Sequence, residues 1–511
     1  MDAARSTYER ALTWFEWISR IPRGSGDTGR ASAAVASWAR DRGLEVTSDE
    51  SGNLVIRKDA TPGREGEPSL ALQAHLDMVC QKVAGSSHDF SRDPIDVVEE
   101  DGWLHADGTT LGADDGAGVA VCLAILEDEG LSHPSLEVVL TVDEEVGLVG
   151  AREMDCSRIR SRRMLNLDLT VAGQFVVGCS AGTEARVSLP LSRERGVREV
   201  VRLTLSGLRG GHSGIDIALP RHNAALLMGE VLSRLLSGGR PDGGHAETVA
   251  ADGALAGLAL VSLRSGEKRN AIPAEATAEL ALPAGAGPEA ARDLDRALGP
   301  VRADLARACT GDDAGARLEA ERLGEREVGV LSAKEAAAAL TLLSELPQGV
   351  FAMSREFPGA TETSDNVSIV RLGEKGLDAL VSVRTNRPGG AGPIVAGVRA
   401  ACERAGAALE VEGGRDPWLC DPESPFVCEA RATYRALFGE EPTVTTTHGG
   451  LECGVFSEAL PGLEVFSLGP DVENAHTPSE RMRLESLERL CAFVRALVEG
   501  TEPRMAVDQG R

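Results

Sequence analysis

The stretch Leu136-Glu137-Val138-Val139-Leu140-Thr141-Val142-Asp143-Glu144-Glu145-Val146-Gly147 decides how this chain is read. Its first seven residues make an apolar run of strand length, its last open a glycine-bounded turn that closes at Gly150, and three acids fall between. Carboxylates gathered at a strand exit repel one another unless a cation or a shared proton relieves the charge. The triplet therefore predicts a metal site or an acid–base pair. A solvated acidic turn has the same composition, and other residues must separate the two readings.

Working outward, Leu54–Arg57, Leu70–Ala74 and Met164–Leu167 are short apolar runs that read as strands, and the last ends directly in Asp168. A sheet whose carboxyl ends carry acids is expected to line a ligand crevice along that edge. Ala11–Ile21 and Arg30–Arg42 read as helices with apolar faces, so the chain opens an α/β domain. Asp114 and Asp115 precede Gly116 and the apolar helix Val119–Leu126, where capping accounts for one of the two. From about Thr183 to about Trp418 the texture changes to alternating strands, alanine-rich helical stretches and glycine-rich connections, which predicts an inserted α+β domain. Val427–Phe438 and Leu484–Glu499 return to helical periodicity around a strand at Val465–Leu468 that completes the first sheet. The expected division is 1–184 and 417–511 for a discontinuous first domain and 185–416 for the insert. Inside the insert, Arg269–Pro273 leading into Ala278–Ala281 is echoed by Asp365–Ile369 leading into Leu380–Val383, a hint of a duplicated half-domain.

At 511 residues there is ample length for a large core and more than one domain. Lys and Arg number 53 against 79 Asp and Glu, and the net charge of −26 opposes binding to nucleic acid or to an anionic membrane. Met1–Arg20 is amphipathic and charge-studded, without the apolar core of a signal peptide, and no window holds eighteen uninterrupted apolar residues. The expectation is a soluble cytoplasmic protein. Ten cysteines lie scattered from Cys80 to Cys491 with no C-x-x-C pair, which predicts reduced, packed thiols. Two motif matches do not hold: Gly24, Gly26 and Gly29 spell G-x-G-x-x-G but follow a helix ending in Ile21-Pro22. Gly178-Cys179-Ser180-Ala181-Gly182 spells a nucleophile elbow but leads into another alternating run, Ala185–Leu191.

The chemistry gathers elsewhere. His75 and Asp77 stand two apart in Ala74-His75-Leu76-Asp77, where strand geometry points both to one face and the carboxylate can hold the imidazole. Adding Asp114, Glu145, Asp168 and His476 gives nitrogen and oxygen ligands from separate strand ends, enough for two zinc ions. Two metals about 3.5 to 4 Å apart need a bridging carboxylate, and Asp114 is the candidate. If the strand continues through the acids, Glu144 and Glu145 point to opposite sides, Glu145 to metal and Glu144 to the attacking water as base.

With these residues in place, His75-Leu76-Asp77-Met78-Val79, Thr110-Leu111-Gly112-Ala113-Asp114, Glu144-Glu145, Gly210-Gly211-His212-Ser213-Gly214 and His448-Gly449-Gly450-Leu451-Glu452-Cys453-Gly454 resemble the aminoacyl-histidine dipeptidases. These are di-zinc peptidases of the glutamate-carboxypeptidase-like group, and the resemblance runs from Trp14 to about Val498. It implies an α/β catalytic domain, a mixed sheet flanked by helices, interrupted by an inserted α+β lid domain. It also implies hydrolysis of unblocked dipeptides, often of Xaa-His type, with two zinc ions that manganese or cobalt can replace. Carried over by position, His75, Asp114 and Asp168 take one metal and Asp114, Glu145 and His476 the other, while Asp77 orients His75 and Glu144 is the base. The matching lid positions are His212, a donor to the carbonyl oxyanion in preference to a packed histidine; Arg384, a clamp for the substrate carboxylate or a salt-bridge residue within the lid; and Asn270, a substrate contact or a turn residue. His448 and Glu452 would meet the substrate's amino group or its histidine ring, or shape their loop. His88, His105, His133, His222 and His245 are expected to be structural or solvent-facing.

One departure stands out: after Asp168 the family continues with acids, whereas this chain has Leu169-Thr170-Val171-Ala172-Gly173. Asp115, where the family tends to carry Asn, is a smaller one. Rival readings keep the site but change its substrate to an N-acyl amino acid or a carboxyl-terminal residue, or remove catalysis and leave a peptide- or metal-binding protein. The expected partner is a small peptide, and related enzymes also dimerise through the lid, which admits a homodimer.

Overall fold

The computed structural model describes residues 3–237, 255–285, 288–413 and 416–500. His245 lies outside them. The chain divides into two compact units, one of Met1–Cys179, Trp418–Thr446 and Gly450–Arg511, the other of Ser180–Pro417 with Thr447–Gly449. These limits differ from 184 and 416 by a few residues because the strand Ala181–Pro190 pairs wholly within the second unit's sheet, and Thr447–Gly449 was not foreseen there.

The first unit is built on a mixed sheet whose strands run in the order Glu45–Ser48, Leu54–Lys58, Leu136–Thr141, Leu70–His75, Arg163–Asn166, Glu464–Ser467, Gln174–Cys179 and Trp418–Leu419, with Thr443–Thr447 also on Gln174–Cys179. Its middle strands are parallel, and Leu70–His75 and Leu136–Thr141 are buried at every position, as strands covered on both faces must be. The register sets His75 opposite Thr141 and Gln73 opposite Asn166, so the segments carrying Asp77, Glu144 and Asp168 leave the sheet side by side at its carboxyl edge. The helix Ala113–Glu127 is buried on nearly all sides, which explains its uniformly apolar sequence after Gly116. It packs on Leu70–His75 and against Ala3–Ser19 and Leu484–Glu499. All ten cysteines are free, and all but Cys80 and Cys428 are buried. Among the described residues no helix is long and apolar enough to cross a membrane.

The second unit holds the duplication that the sequence hints at, in a different register. One half runs strand Glu194–Ser206, helix Ala224–Ser237, strands Ala259–Ser265 and Ala276–Ala281, helix Pro288–Ala308, strand Arg317–Val330. The other runs strand Ala181–Pro190, helix Ala333–Glu345, strands Thr361–Gly373 and Gly376–Thr385, helix Gly392–Ala405, strand Ala408–Gly413. Each half orders its strands fourth, first, third, second, and the two second strands pair antiparallel to make one continuous sheet. Ala278–Ala281 and Leu380–Val383 fall in equivalent third strands, but Arg269–Pro273 lies after a second strand whereas Asp365–Ile369 lies inside one. The sequence echo therefore marks the right topology through positions that are not equivalent.

Candidate active site

His75 ends its strand with no solvent exposure, its Nδ1 3.3 Å from Asp77 Oδ1. Asp77 also accepts the Ser25 hydroxyl at 2.7 Å and the amides of Glu144 and Glu145 at 3.0 and 3.3 Å. One carboxylate thus orients the imidazole and pins the acidic turn to the neighbouring strand. Burial works against its charge, but His75 and these hydrogen bonds bring its pKa down to about 2.

The strand does not continue through the acids. It stops at Thr141, Asp143 turns at φ +55°, and the amides of Gly147 and Leu148 close back on the Glu144 carbonyl. Glu144 and Glu145 therefore both stand in a turn, where strand alternation does not set their directions. Asn53, 1% exposed, clamps both ends of that turn, accepting the Val142 amide at 3.1 Å and donating to the Gly150 carbonyl at 3.0 Å. The closure requires glycine at 150, where a Cβ would stand 2.1 Å from the Val142 carbonyl oxygen. Asp143 faces away, accepting the Gly26 amide at 2.6 Å, so the Gly24–Gly29 segment is an anchored turn and no dinucleotide cradle. Ser180 likewise sits between two strands, its hydroxyl donating to the His448 carbonyl at 2.8 Å, and starts no helix.

Asp114 and Asp115 divide their work. Asp115 is buried, accepting the Gly118 amide at 3.0 Å as a cap and the His75 amide at 3.1 Å. Asp114 turns its two oxygens to different histidines: Oδ1 lies 3.2 Å from His75 Nε2 and Oδ2 lies 3.2 Å from His476 Nε2. Asp168 Oδ1 is 3.5 Å from His75 Nε2, and Glu145 Oε1 is 2.8 Å from His476 Nε2. His75, Asp77, Asp114, Glu144, Glu145, Asp168 and His476 are thereby brought to one edge of one unit.

Crowding dominates the electrostatics. Burial, then the charge of Asp168, pushes the Glu144 carboxyl well up; burial raises Asp168 as well. Burial disfavours charge on His75 and His476, yet the surrounding carboxylates raise both histidines. Five carboxyl groups, those of Asp77, Asp114, Glu144, Glu145 and Asp168, gather here around two imidazoles. The ligand atoms of His75, Asp114 and Glu145 lie within 4.8 Å of one another, as do those of His75, Asp115 and Asp168. Imidazole nitrogens and carboxylate oxygens at that spacing, with an excess of negative charge, fit divalent cations.

Glu452 and His448, expected to meet substrate or to shape their loop, are each held by side chains of their own unit. Glu452 opens the helix Glu452–Ala459 with no exposure, and its Oε2 accepts the side chains of Gln73 and Thr141, each at 2.6 Å. Gln73 in turn accepts Asn166 Nδ2 at 2.5 Å, so the carboxyl faces a network beneath the sheet edge, and burial pushes it up to about 8. In the second unit His448 is 6% exposed, with Nε2 2.8 Å from Ser364 Oγ and Nδ1 2.7 Å from Asn386 Oδ1. Asn386 donates its amide nitrogen to Thr447, which fixes Oδ1 as acceptor and Nδ1–H of His448 as donor. Both ring nitrogens are thus engaged inside the unit.

The remaining second-unit residues cluster around His448, whose pKa burial lowers to about 3 with help from Arg384 and His212. Two short strands pair Gly211–His212 with Ala271–Ile272, which brings exposed Asn270 beside His212, its carbonyl accepting the Ser213 amide at 2.8 Å. His212 Nδ1 accepts the amides of Gly214 and Ile215 at 3.2 and 3.0 Å, so a neutral ring carries its proton on Nε2. Arg384 is half-buried, its Nη1 3.5 Å from the His448 carbonyl. His133 and His222 are structural: His133 is buried with Nδ1 2.8 Å from the Pro134 carbonyl, and His222 Nδ1 lies 3.0 Å from Asp313.

Sequence reasoning missed Asn53 and Ser25, which act on backbone and side chains far away in the chain and leave no local pattern. The profile of peptidase family M20/M25/M40 matches residues 71–500. The cytosol non-specific dipeptidase of Escherichia coli (strain K12) is 34% identical over 475 residues, 93% of each chain. Among solved structures, the aminoacylhistidine dipeptidase of Vibrio alginolyticus matches at a TM-score of 0.72 and 32% identity, over 97% of both chains. A tripeptidase from Staphylococcus aureus matches at a TM-score of 0.53 and 17% identity over 96% of this chain and 98% of its own, a likeness of fold alone.

Proposed function

Because the chain belongs to peptidase family M20/M25/M40, we propose that it is a metal-dependent dipeptidase that cleaves unblocked dipeptides, those of Xaa-His type among them. The observation that carries this reading is the Asp114 carboxylate, with one oxygen toward His75 and the other toward His476. On this reading His75, Asp114 and Asp168 hold one zinc ion and Asp114, Glu145 and His476 the other, and manganese or cobalt suits the same donors. Bound there, the ions supply Lewis-acid polarisation of the scissile carbonyl and acidify the attacking water.

The chain's own groups do the rest. Glu144, presented by the turn that Asp77 and Asn53 hold, takes the water's proton on its carboxylate and delivers it to the leaving amine as the C–N bond breaks. Asp77 keeps the His75 ring in one orientation through Nδ1, leaving Nε2 toward Asp114 and Asp168. In the second unit, His212 offers an Nε2–H donor suited to a carbonyl oxygen, and Arg384 a guanidinium suited to a peptide carboxylate. Asn270, exposed beside His212, is a further substrate contact. His448, tied to Ser364 and Asn386, and Glu452, tied to Gln73 and Thr141, hold positions within their own units. The working compartment on this reading is the cytoplasm.

The test is a panel of free and N-acetylated dipeptides, histidine-containing ones included. Cleavage confined to free dipeptides is expected, and cleavage confined to the acetylated set overturns the substrate class.

A further inference from the structure

Two buried side chains of opposite charge, neither in the ligand set, grip the loop that carries Asp114 by its backbone. Glu480 is 2% exposed, and its Oε2 accepts the amides of Leu111 and Gly112 at 3.0 and 3.1 Å while Oε1 accepts that of Ala113 at 2.8 Å. The Asp114 amide lies 3.5 Å from Oε1 as well. From the other side Arg23, 1% exposed, donates Nη2 to the Gly112 carbonyl at 2.5 Å and Nη1 to the carbonyls of Leu76 and Asp77 at 3.1 and 3.0 Å. Amides converge on the carboxylate and carbonyls on the guanidinium, so each charge is answered by backbone dipoles. Gly112 has φ +72°, and a Cβ there would stand 2.7 Å from Arg23 Nη2 and 2.8 Å from Met78 Sδ. The loop passes between its two holders only as glycine.

Glu480 also belongs to the turn that carries His476. Its own amide donates to the Thr477 carbonyl at 3.0 Å, the Thr477 amide donates to Asn474 at 3.2 Å, and His476 sits at φ +65° inside that turn. Asp114 and His476 are 362 positions apart in the chain, and Glu480 fixes the backbone of one while being part of the local turn of the other. Arg23 does the same for Asp114 and the His75–Asp77 segment.

We propose that Glu480 is a positioning residue that sets Asp114 against His476 and thereby builds the metal centre without being a ligand. The proposal rests on the two-ion reading of the site. Its chemistry is specific to a carboxylate, because both oxygens accept amides. Glutamine keeps the shape but turns an NH₂ donor toward amide donors, so the isosteric replacement cannot reproduce the grip.

Glu480→Gln is therefore expected to bind zinc about ten- to a hundredfold more weakly than wild type in competition with a chromophoric chelator, with an unchanged circular dichroism spectrum. Wild-type zinc affinity and stoichiometry in this variant overturn the proposal, including where its Tm has fallen, since a purely structural residue would do only that. A second readout needs no variant: in the zinc-stripped wild-type chain, the amides of residues 111–114 are expected to exchange with deuterium far more slowly than unprotected loop amides. Exchange at the unprotected rate overturns the proposal even if Glu480→Gln does not fold. Neither measurement involves dipeptide turnover, so a failure of the dipeptidase reading leaves both interpretable.

Discussion

Replacing Asp365 by asparagine is predicted to stabilise the protein above neutral pH. Asp365 lies within the second-unit strand Thr361–Gly373 at 3% exposure, and its buried Oδ2 has no hydrogen-bond partner among the described residues. Burial pushes the carboxyl from 3.8 up to about 7. Between those values the folded chain keeps a proton that the unfolded chain has released, so stability falls as pH rises through the window, by about 1.4 kcal/mol per unit. The loss reaches about 4 kcal/mol by pH 8 and is about 1.6 kcal/mol at pH 5. Asparagine cannot ionise but brings an amide that costs about 1–3 kcal/mol if unpaired. Chemical denaturation of wild type and variant at pH 5 and pH 8 tests this. The variant's advantage should grow by about 2.5 kcal/mol from pH 5 to pH 8. A pH-independent difference would refute the reasoning, because it would mean that the carboxyl does not titrate in that window.

His448 titrates with the opposite sign. Its pKa falls from 6.5 to about 3 on folding, so its contribution is complete above pH 6.5 and is lost as pH falls toward 3, about 2 kcal/mol of it by pH 5. Unfolding curves of wild type and His448→Gln should converge between pH 7.5 and pH 5, and parallel pH dependence counts against a neutral buried imidazole. At the metal centre, Glu144→Ala should keep its zinc content and lose about 10²–10⁴-fold in kcat, the range for a general acid–base group, whereas Glu145→Ala should lose zinc itself. Metal analysis beside steady-state kinetics decides; near-normal turnover in Glu144→Ala removes its role, and full zinc content in Glu145→Ala removes that of Glu145.

The parts of the site that lie at strand ends were legible because strand patterning is local. Leu70–Ala74, Leu136–Val142 and Met164–Leu167 read as apolar runs and fall on the strands Leu70–His75, Leu136–Thr141 and Arg163–Asn166, and the acids that follow them had to leave the same edge of a parallel sheet. The division between Glu144 and Glu145 was not legible in the same way, since the strand stops at Thr141 and a left-handed Asp143 starts a turn whose closure depends on Asn53 and Gly150. Burial of single polar residues in glycine-rich sequence was hidden too. His448 and Glu452 look alike in His448-Gly449-Gly450-Leu451-Glu452, yet the first is tied to Ser364 and Asn386 and the second to Gln73 and Thr141. Glu480 and Arg23 act on backbone atoms of distant segments, and a contact with a main-chain amide places no demand on the residue type that supplies it. The duplication of the second unit survives in strand order while its sequence echo has slipped between second strand and following loop.

The most direct test of the account is a zinc titration of chelator-stripped protein, followed at each step by hydrolysis of a free histidine-containing dipeptide. The account predicts no cleavage in the stripped chain and full recovery as two zinc ions per chain are bound. Cleavage that survives complete stripping, or two bound ions without any cleavage, would contradict it.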